Sequence, residues 1–164
     1  MIRIANKDDI PRIVEIELFT NRYNFKNILS NDFLYKKITY DYHKNWLNMS
    51  FLDMENKKGI EHYVYVEDNL IKGYFSIGFP EDNRNCELIN IRVDVPFQNN
   101  KIGTIIMDYI FKLAEKKGID KIVLNVFEKN IIGIKLYEKF GFEIENKYYS
   151  EEYGNNILKY QRKM

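Results

Sequence analysis

Apolar residues change their spacing several times along the chain, and each change marks a new element. Ile2 and Ile4 alternate around Arg3, the pattern of a short strand. Asp8-Asp9, with Pro11 in the first turn, opens a helix whose Ile13, Val14, Ile16 and Leu18 lie near one face. Ser30 or Asn31 caps a second predicted helix, in which Leu34, Ile38, Tyr42 and Trp46 recur every four residues. Residues 62–67 and 70–79 read as strands joined by a turn at Asp68-Asn69. A polar turn over 81–85 leads into a third strand, 87–95, which Pro96 ends. Residues 102–117 give the most regular helix: Ile102, Ile106, Ile110 and Leu113 share a face, and Gly118 terminates it. The short run 122–127 is nearly all apolar, as expected of a strand buried on both faces. Asn130 caps a last helix that stops at Gly141, and 142–149 and 157–162 close the chain as strands.

The strand–helix–strand–helix stretch in the middle demands parallel pairing, whereas the flanking hairpins are antiparallel. The expected fold class is therefore α/β (α+β), a single mixed twisted sheet of about seven strands flanked by four helices. With 164 residues, 45% of them hydrophobic, one domain spanning 1–164 can build an ordinary core.

A formal charge of +1 provides no general pull on nucleic acid or an anionic membrane, so neither is expected as a partner. Lys159, Arg162 and Lys163 read as a solvated end. Cys86 is the single cysteine, so no intramolecular disulfide and no cysteine-based metal site can form. His43 and His62 stand apart from carboxylate or cysteine neighbours in the sequence, and no metal is expected. The N-terminal residues lack the apolar run of a signal peptide, and no segment approaches the roughly 20 apolar residues that span a bilayer. A reducing, cytoplasmic setting is the expectation.

Chemistry concentrates between residues 87 and 142. Val93 to Gly103 join a strand end to a helix start, where unpaired backbone N–H groups and the positive end of the helix dipole suit a pyrophosphate. Gly103 lets the backbone approach such an anion closely. Gln98-Asn99-Asn100-Lys101-Ile102-Gly103 resembles the signature Gln/Arg-x-x-Gly-x-Gly/Ala of the GNAT superfamily of N-acetyltransferases, with Lys101 where the first Gly is usual. Asn130 to Phe142 resemble that family's Asn-x-x-Ala-x-x-x-Tyr-x-x-x-Gly-Phe, with Gly133 for the small Ala. Asn130 and Tyr137, seven residues apart, fall on one helix face.

The resemblance implies the GNAT fold, with a splayed central strand pair, and acetyl-CoA as cosubstrate. Pantetheine pairs with exposed backbone at Ile91 and Val93, and an N–H near Ile91 polarises the thioester carbonyl. Backbone amides from Gln98 through Asn99, Asn100, Lys101, Ile102 and Gly103 to Thr104 take the pyrophosphate, and Asn130 bonds pantetheine. Tyr137 becomes the acid that protonates the departing thiolate. Glu87 aligns with the base of the histone-acetylating branch and acts directly or through water. The branch acting on protein N-termini places its base on the next strand, where this chain has Asn125.

The implied acceptor is a primary amine. Glu81, Asp82, Glu87 and Asp94 would suit a small cationic one, and a protein lysine or N-terminus is the alternative. Tyr40, Tyr42 and Trp46 lie where the family varies its acceptor pocket, although core packing also explains Trp46. Either Tyr148 or Tyr149 would face the acceptor slot. A homodimer through the C-terminal strands is permitted. From another class, an acyl-CoA-binding module without catalysis would keep the same cofactor residues.

Overall fold

The computed structural model describes residues 1–55, 59–80 and 84–164. Its elements are β1 (Ile2–Ile4), α1 (Ile10–Asn24), α2 (Tyr40–Glu55), β2 (Ile60–Glu67), β3 (Leu70–Gly78), β4 (Asn85–Val93), α3 (Ile102–Lys116), β5 (Lys121–Phe127), α4 (Ile131–Lys139), β6 (Glu143–Ser150) and β7 (Asn155–Lys163). The strands form one mixed seven-stranded sheet, as the sequence predicts, and their order in it is β1-β2-β3-β4-β5-β7-β6. Among the described residues only β4 and β5 run parallel, and α3 makes the crossover between them.

Both faces of the sheet are covered, but unequally. Ile102, Ile106 and Ile110 of α3 and Tyr137 of α4 pack on Phe75, Ile77, Leu88, Ile122 and Leu124. On the other face, Ile13 and Val14 of α1 and Leu47 and Phe51 of α2 meet Val64 and Tyr74. A smaller cluster of Phe25, Leu29, Leu34 and Ile38 joins the α1–α2 connection to Phe127 and Tyr153 at the far end of β5 and β7.

Several boundaries differ from the sequence reading. Asn6, not Asp8, caps the opening turn: its side chain accepts from the Asp8 N–H, while the Asp9 carboxylate accepts from the Asn6 N–H and pairs with Arg3. The second helix is two pieces. Ser30 caps a π-helical turn at Phe33–Lys37, its Oγ accepting from the Phe33 N–H at 3.1 Å. Ile38 then leaves helical geometry at φ −81° and ψ 85°, and Thr39 caps α2 through the Tyr42 N–H. The strand expected at 87–95 is β4, Asn85–Val93, and Val95 and Pro96 lie in a separate 3-10 turn. Finally, β5 is buried on one face only. Ile122, Leu124 and Val126 are buried while Asn125 is exposed, because α1 and α2 lie over β2, β3 and β4 and leave this part of β5 uncovered.

Beneath α2 lies a buried polar chain that the sequence does not announce. His62, with no exposed surface, engages Ser50 Oγ at 2.6 Å through Nε2 and Tyr74 Oη at 2.9 Å through Nδ1. The Phe51 ring stacks on its imidazole at 4.7 Å between centroids. A neutral ring has one donor and one acceptor nitrogen, and the two hydroxyls satisfy both. Burial pushes the His62 pKa down from 6.5 to about 4. The unfolded chain therefore takes up a proton near pH 6.5 that the folded chain refuses until about pH 4. The stability this histidine contributes is complete above pH 6.5 and is lost as pH falls, up to a ceiling of about 3 kcal/mol. Urea unfolding at pH 7 and pH 4.5 should show a drop in wild type that is clearly smaller in His62→Gln. Equal drops in the two proteins would contradict this.

Candidate active site

The site begins where two strands part. From Asn85↔Lys121 to Leu88↔Leu124, β4 and β5 are paired. Beyond Leu88, β4 keeps its ladder with β3 as far as Gly73↔Val93, and β5 keeps its ladder with β7 as far as Phe127↔Ile157. Between them the pairing stops. The β3–β4 register slips at this point: Ser76 faces Asn90 and Ile77 faces Leu88, which leaves Ile89 as the extra residue of a bulge. Each strand thus remains held on its outer side while the sheet opens in the middle.

A cleft of about 680 Å³ fills the opening. Ile91, Val93, Gln98, Asn99, Lys101, Ile102, Gly103, Thr104, Asn130 and Tyr137 all line it, so ten of the predicted site residues converge. Asn100 does not line it; its side chain is exposed and donates back to the Phe97 carbonyl. Glu87 also lies outside, exposed on the uncovered face beside Asn125, whose Nδ2 donates to Glu87 Oε1 at 3.2 Å. Asp94 is buried in an ion pair with Arg12 and does not line this cleft, while Glu81 and Asp82 lie outside the described residues.

The start of α3 is built to leave N–H groups unclaimed. Asn99 at φ 66° and Lys101 at φ 61° are both left-handed, and Lys101, the N-cap residue, makes no side-chain cap. The Gln98 side chain points back instead, Nε2 donating to the Val93 carbonyl at 3.0 Å, which ties the turn to the end of β4. Lys101 and Lys129 stand at the starts of the two helices that border the cleft, and among the described residues neither has an ion-pair partner. The α4 end is capped. Asn130 Oδ1 accepts from the Gly133 N–H at 3.1 Å, and a Cβ at 133 would meet Asn130 Nδ2 at 2.7 Å, so a larger residue there would have to shift the Asn130 amide.

Tyr137 is 8% exposed, and burial raises its phenol pKa to about 12 against the opposing charge of Arg92. The phenol therefore holds its proton at neutral pH. Arg92, missed in the sequence reading, sits at the junction of this cleft with a second one of about 210 Å³. Its Nε lies 3.3 Å from Glu17 Oε2, and its guanidinium rests 5.5 Å from the centre of the Phe25 ring. A charge inside the apolar run of β4 was the available signal. Tyr42 and Trp46 line the second cleft, whereas Tyr40, Tyr148 and Tyr149 do not; Tyr153, from the turn between β6 and β7, lines it instead. His43 and His62 prove to have partners, Asn21 and the Ser50–Tyr74 pair. Cys86 is buried, and its thiol pKa is driven up to about 12, so it is no nucleophile. Among the described residues no group of three or more His, Cys, Asp or Glu could hold a metal ion, and no helix is long and apolar enough to cross a membrane.

An opened mixed sheet with a helix start at the mouth of the gap defines a class of acyl-transfer proteins. The chain belongs to the acetyltransferase (GNAT) family, whose model matches residues 22–142. It is 30% identical over 119 residues to the spermine/spermidine N(1)-acetyltransferase of Bacillus subtilis, a match covering 63% of this chain and 78% of that one. To the L-amino acid N-acetyltransferase AaaT of Escherichia coli it is 28% identical over 95 residues. That match covers 56% of this chain and only 59% of that protein's length. Among solved structures, the PaiA N-acetyltransferase of Thermoplasma acidophilum in complex with coenzyme A superposes with a TM-score of 0.87 at 21% identity, covering 100% of this chain and 98% of that one.

Lys101 holds a backbone conformation that costs a non-glycine residue roughly 1–2 kcal/mol. Lys101→Gly should therefore raise stability by about 0.5–1 kcal/mol after the extra entropy of glycine is subtracted, read from urea unfolding. A loss of similar size would show that the lysine side chain supports the fold.

Proposed function

We propose that the chain transfers the acetyl group of acetyl-CoA to the primary amine of a small cationic molecule, by direct attack in a ternary complex. The observation that carries this reading is the unpaired stretch of β4 running into an uncapped helix start, both along one cleft. An extended pantetheine chain can add to the free backbone at Ile91 and Val93 as a strand would. The amides at the start of α3, with the helix dipole behind them, suit the diphosphate, and Lys101 and Lys129 add charge. Asn130 has its Oδ1 committed to the helix cap, which leaves Nδ2 to donate to pantetheine.

In the reaction an amine nitrogen bonds to the thioester carbon, the C–S bond breaks, and the amine gives up a proton. An N–H near Ile91 stabilises the oxyanion. A free alkylammonium has a pKa near 10.4, so about one molecule in two thousand is neutral at pH 7 and deprotonation is part of the task. Glu87 can take that proton only through a water relay, because its carboxylate lies outside both clefts. Tyr137 presents its retained proton to the sulfur as charge develops there. A thiol pKa near 8.5 makes the thiolate a fair leaving group, so this contact assists without being compulsory.

A small amine is supported by the modest size of the second cleft, by its aromatic walls, whose faces can meet a single cation, and by the likeness to acetyltransferases named for small amines. The buried Cys86 thiol fits a reducing, cytoplasmic setting.

A thiol-release assay with acetyl-CoA and a mixed amine panel tests the reading. Sustained amine-dependent release supports it, and acetyl-CoA binding without release would make the chain a sensor instead. Tyr137→Phe should lower turnover about tenfold with acetyl-CoA affinity within about twofold of wild type. Unchanged turnover would remove Tyr137 from the mechanism.

A further inference from the structure

The second cleft differs from the first in its chemistry. Four rings follow one another edge to face across it: Phe25 to Phe127 at 5.4 Å, Phe127 to Tyr153 at 5.3 Å, and Tyr153 to Phe33 at 5.3 Å between centroids. Tyr42 and Trp46 of α2 complete the wall opposite. These rings come from the end of α1, the π turn, α2, the end of β5 and the β6–β7 turn, so the cleft exists only in the folded chain.

Its charged groups pair with each other, and one neutral acceptor, Asn90 Oδ1, is buried there without a hydrogen-bond partner among the described residues. The charged residues lining it are Glu17 and Arg92, and they pair with each other at 3.3 Å. Asn21 bridges this pair to the ring of His43: its Oδ1 lies 3.5 Å from the Arg92 guanidinium and its Nδ2 lies 3.3 Å from His43 Nε2. Desolvation lowers the His43 pKa, so the ring is neutral at pH 7. Among the described residues lining the cleft, then, no carboxylate is left free to receive an ammonium. A polyamine would bring two or three further charges into walls of aromatic carbon without a counter-ion, and that desolvation is costly. A single amino group, by contrast, can lie at the junction, where Phe25 and Arg92 border both clefts and the guanidinium favours the neutral, reactive amine.

Size agrees with this. A cavity of roughly 150 Å³ lined by apolar side chains accommodates benzene, and the 210 Å³ here leaves room for a short alkyl arm as well. Stacking and edge contacts with the row of rings would orient a flat body so that its arm points toward the opened sheet.

Resting on the transferase reading above, we infer that the acceptor is a monoamine carrying a flat apolar body, an arylalkylamine in chemical class, and that Tyr153 and Phe33 select it. The amino nitrogen enters past Arg92 while the ring stays among Phe33, Phe127 and Tyr153.

The test compares 2-phenylethylamine and tryptamine with spermidine under saturating acetyl-CoA, following CoA release. The arylalkylamines should show kcat/KM values at least about tenfold above spermidine. Tyr153→Ala and Phe33→Ala should each raise the KM for 2-phenylethylamine by about fivefold or more. The KM for acetyl-CoA and the thermal midpoint serve as checks that the fold is intact. Spermidine used as well as or better than the arylalkylamines would overturn the inference and leave the transferase reading standing. So would a KM for 2-phenylethylamine that ignores both alanine substitutions in folded protein. Acetyl-CoA binding without turnover of any amine would overturn the transferase reading and this inference together.

Discussion

The parting of β4 from β5 after Leu88 and Leu124 is the constraint on which the rest of this structure depends. A sheet normally leaves no backbone hydrogen-bonding groups unmatched in its middle, since an orphaned buried amide or carbonyl costs as much as a lost hydrogen bond. Here the opening is tolerated because each strand is still held by its other neighbour, β4 by β3 and β5 by β7, and because the bulge at Ile89 gives β4 the extra residue it needs to bend away. The gap is therefore compatible with an otherwise fully laddered frame. The start of α3 stands at its mouth because the 3-10 turn at Val95–Phe97 and the left-handed Asn99 and Lys101 redirect the chain within a few residues.

Two clefts meet at this opening, and their chemistry is opposite. The first is bordered by free backbone, a helix start and two lysines that have no ion-pair partner among the described residues. The second is walled by rings, and the charged residues described along it, Glu17 and Arg92, cancel each other. Arg92 belongs to both and is anchored by Glu17, so the arginine that borders Tyr137 also borders the aromatic cleft. Such an arrangement can bring an anionic carrier and a largely apolar amine to the same point from different sides, without either having to cross the other's environment.

Much of this was legible in the sequence, and what was not has identifiable causes. The apolar face of α3, the cap at Asn130 and the element order follow from local periodicity and capping, and these fix where the helix starts fall. The break at Ile38 was hidden because Leu34, Ile38, Tyr42 and Trp46 keep a four-residue recurrence through a π turn and a new helix alike. Alternation along β4 gives the side of the sheet that Glu87 occupies, but not that the α1–α2 layer fails to reach it. Asp94 reads as a free acid beside the slot until Arg12, 82 residues earlier, is seen to claim it. The ring row of Phe25, Phe33, Phe127 and Tyr153 draws on residues more than a hundred positions apart, and only tertiary packing brings them together.

The central physical claim is that the free edge of β4 is a binding surface for an extended ligand chain, and amide hydrogen exchange reads it directly. On addition of acetyl-CoA, amides within residues 89–93 that face the gap should become markedly slower to exchange, while those of 85–88, already laddered to β5, should not change. Exchange at 89–93 that stays the same with acetyl-CoA bound would contradict the account.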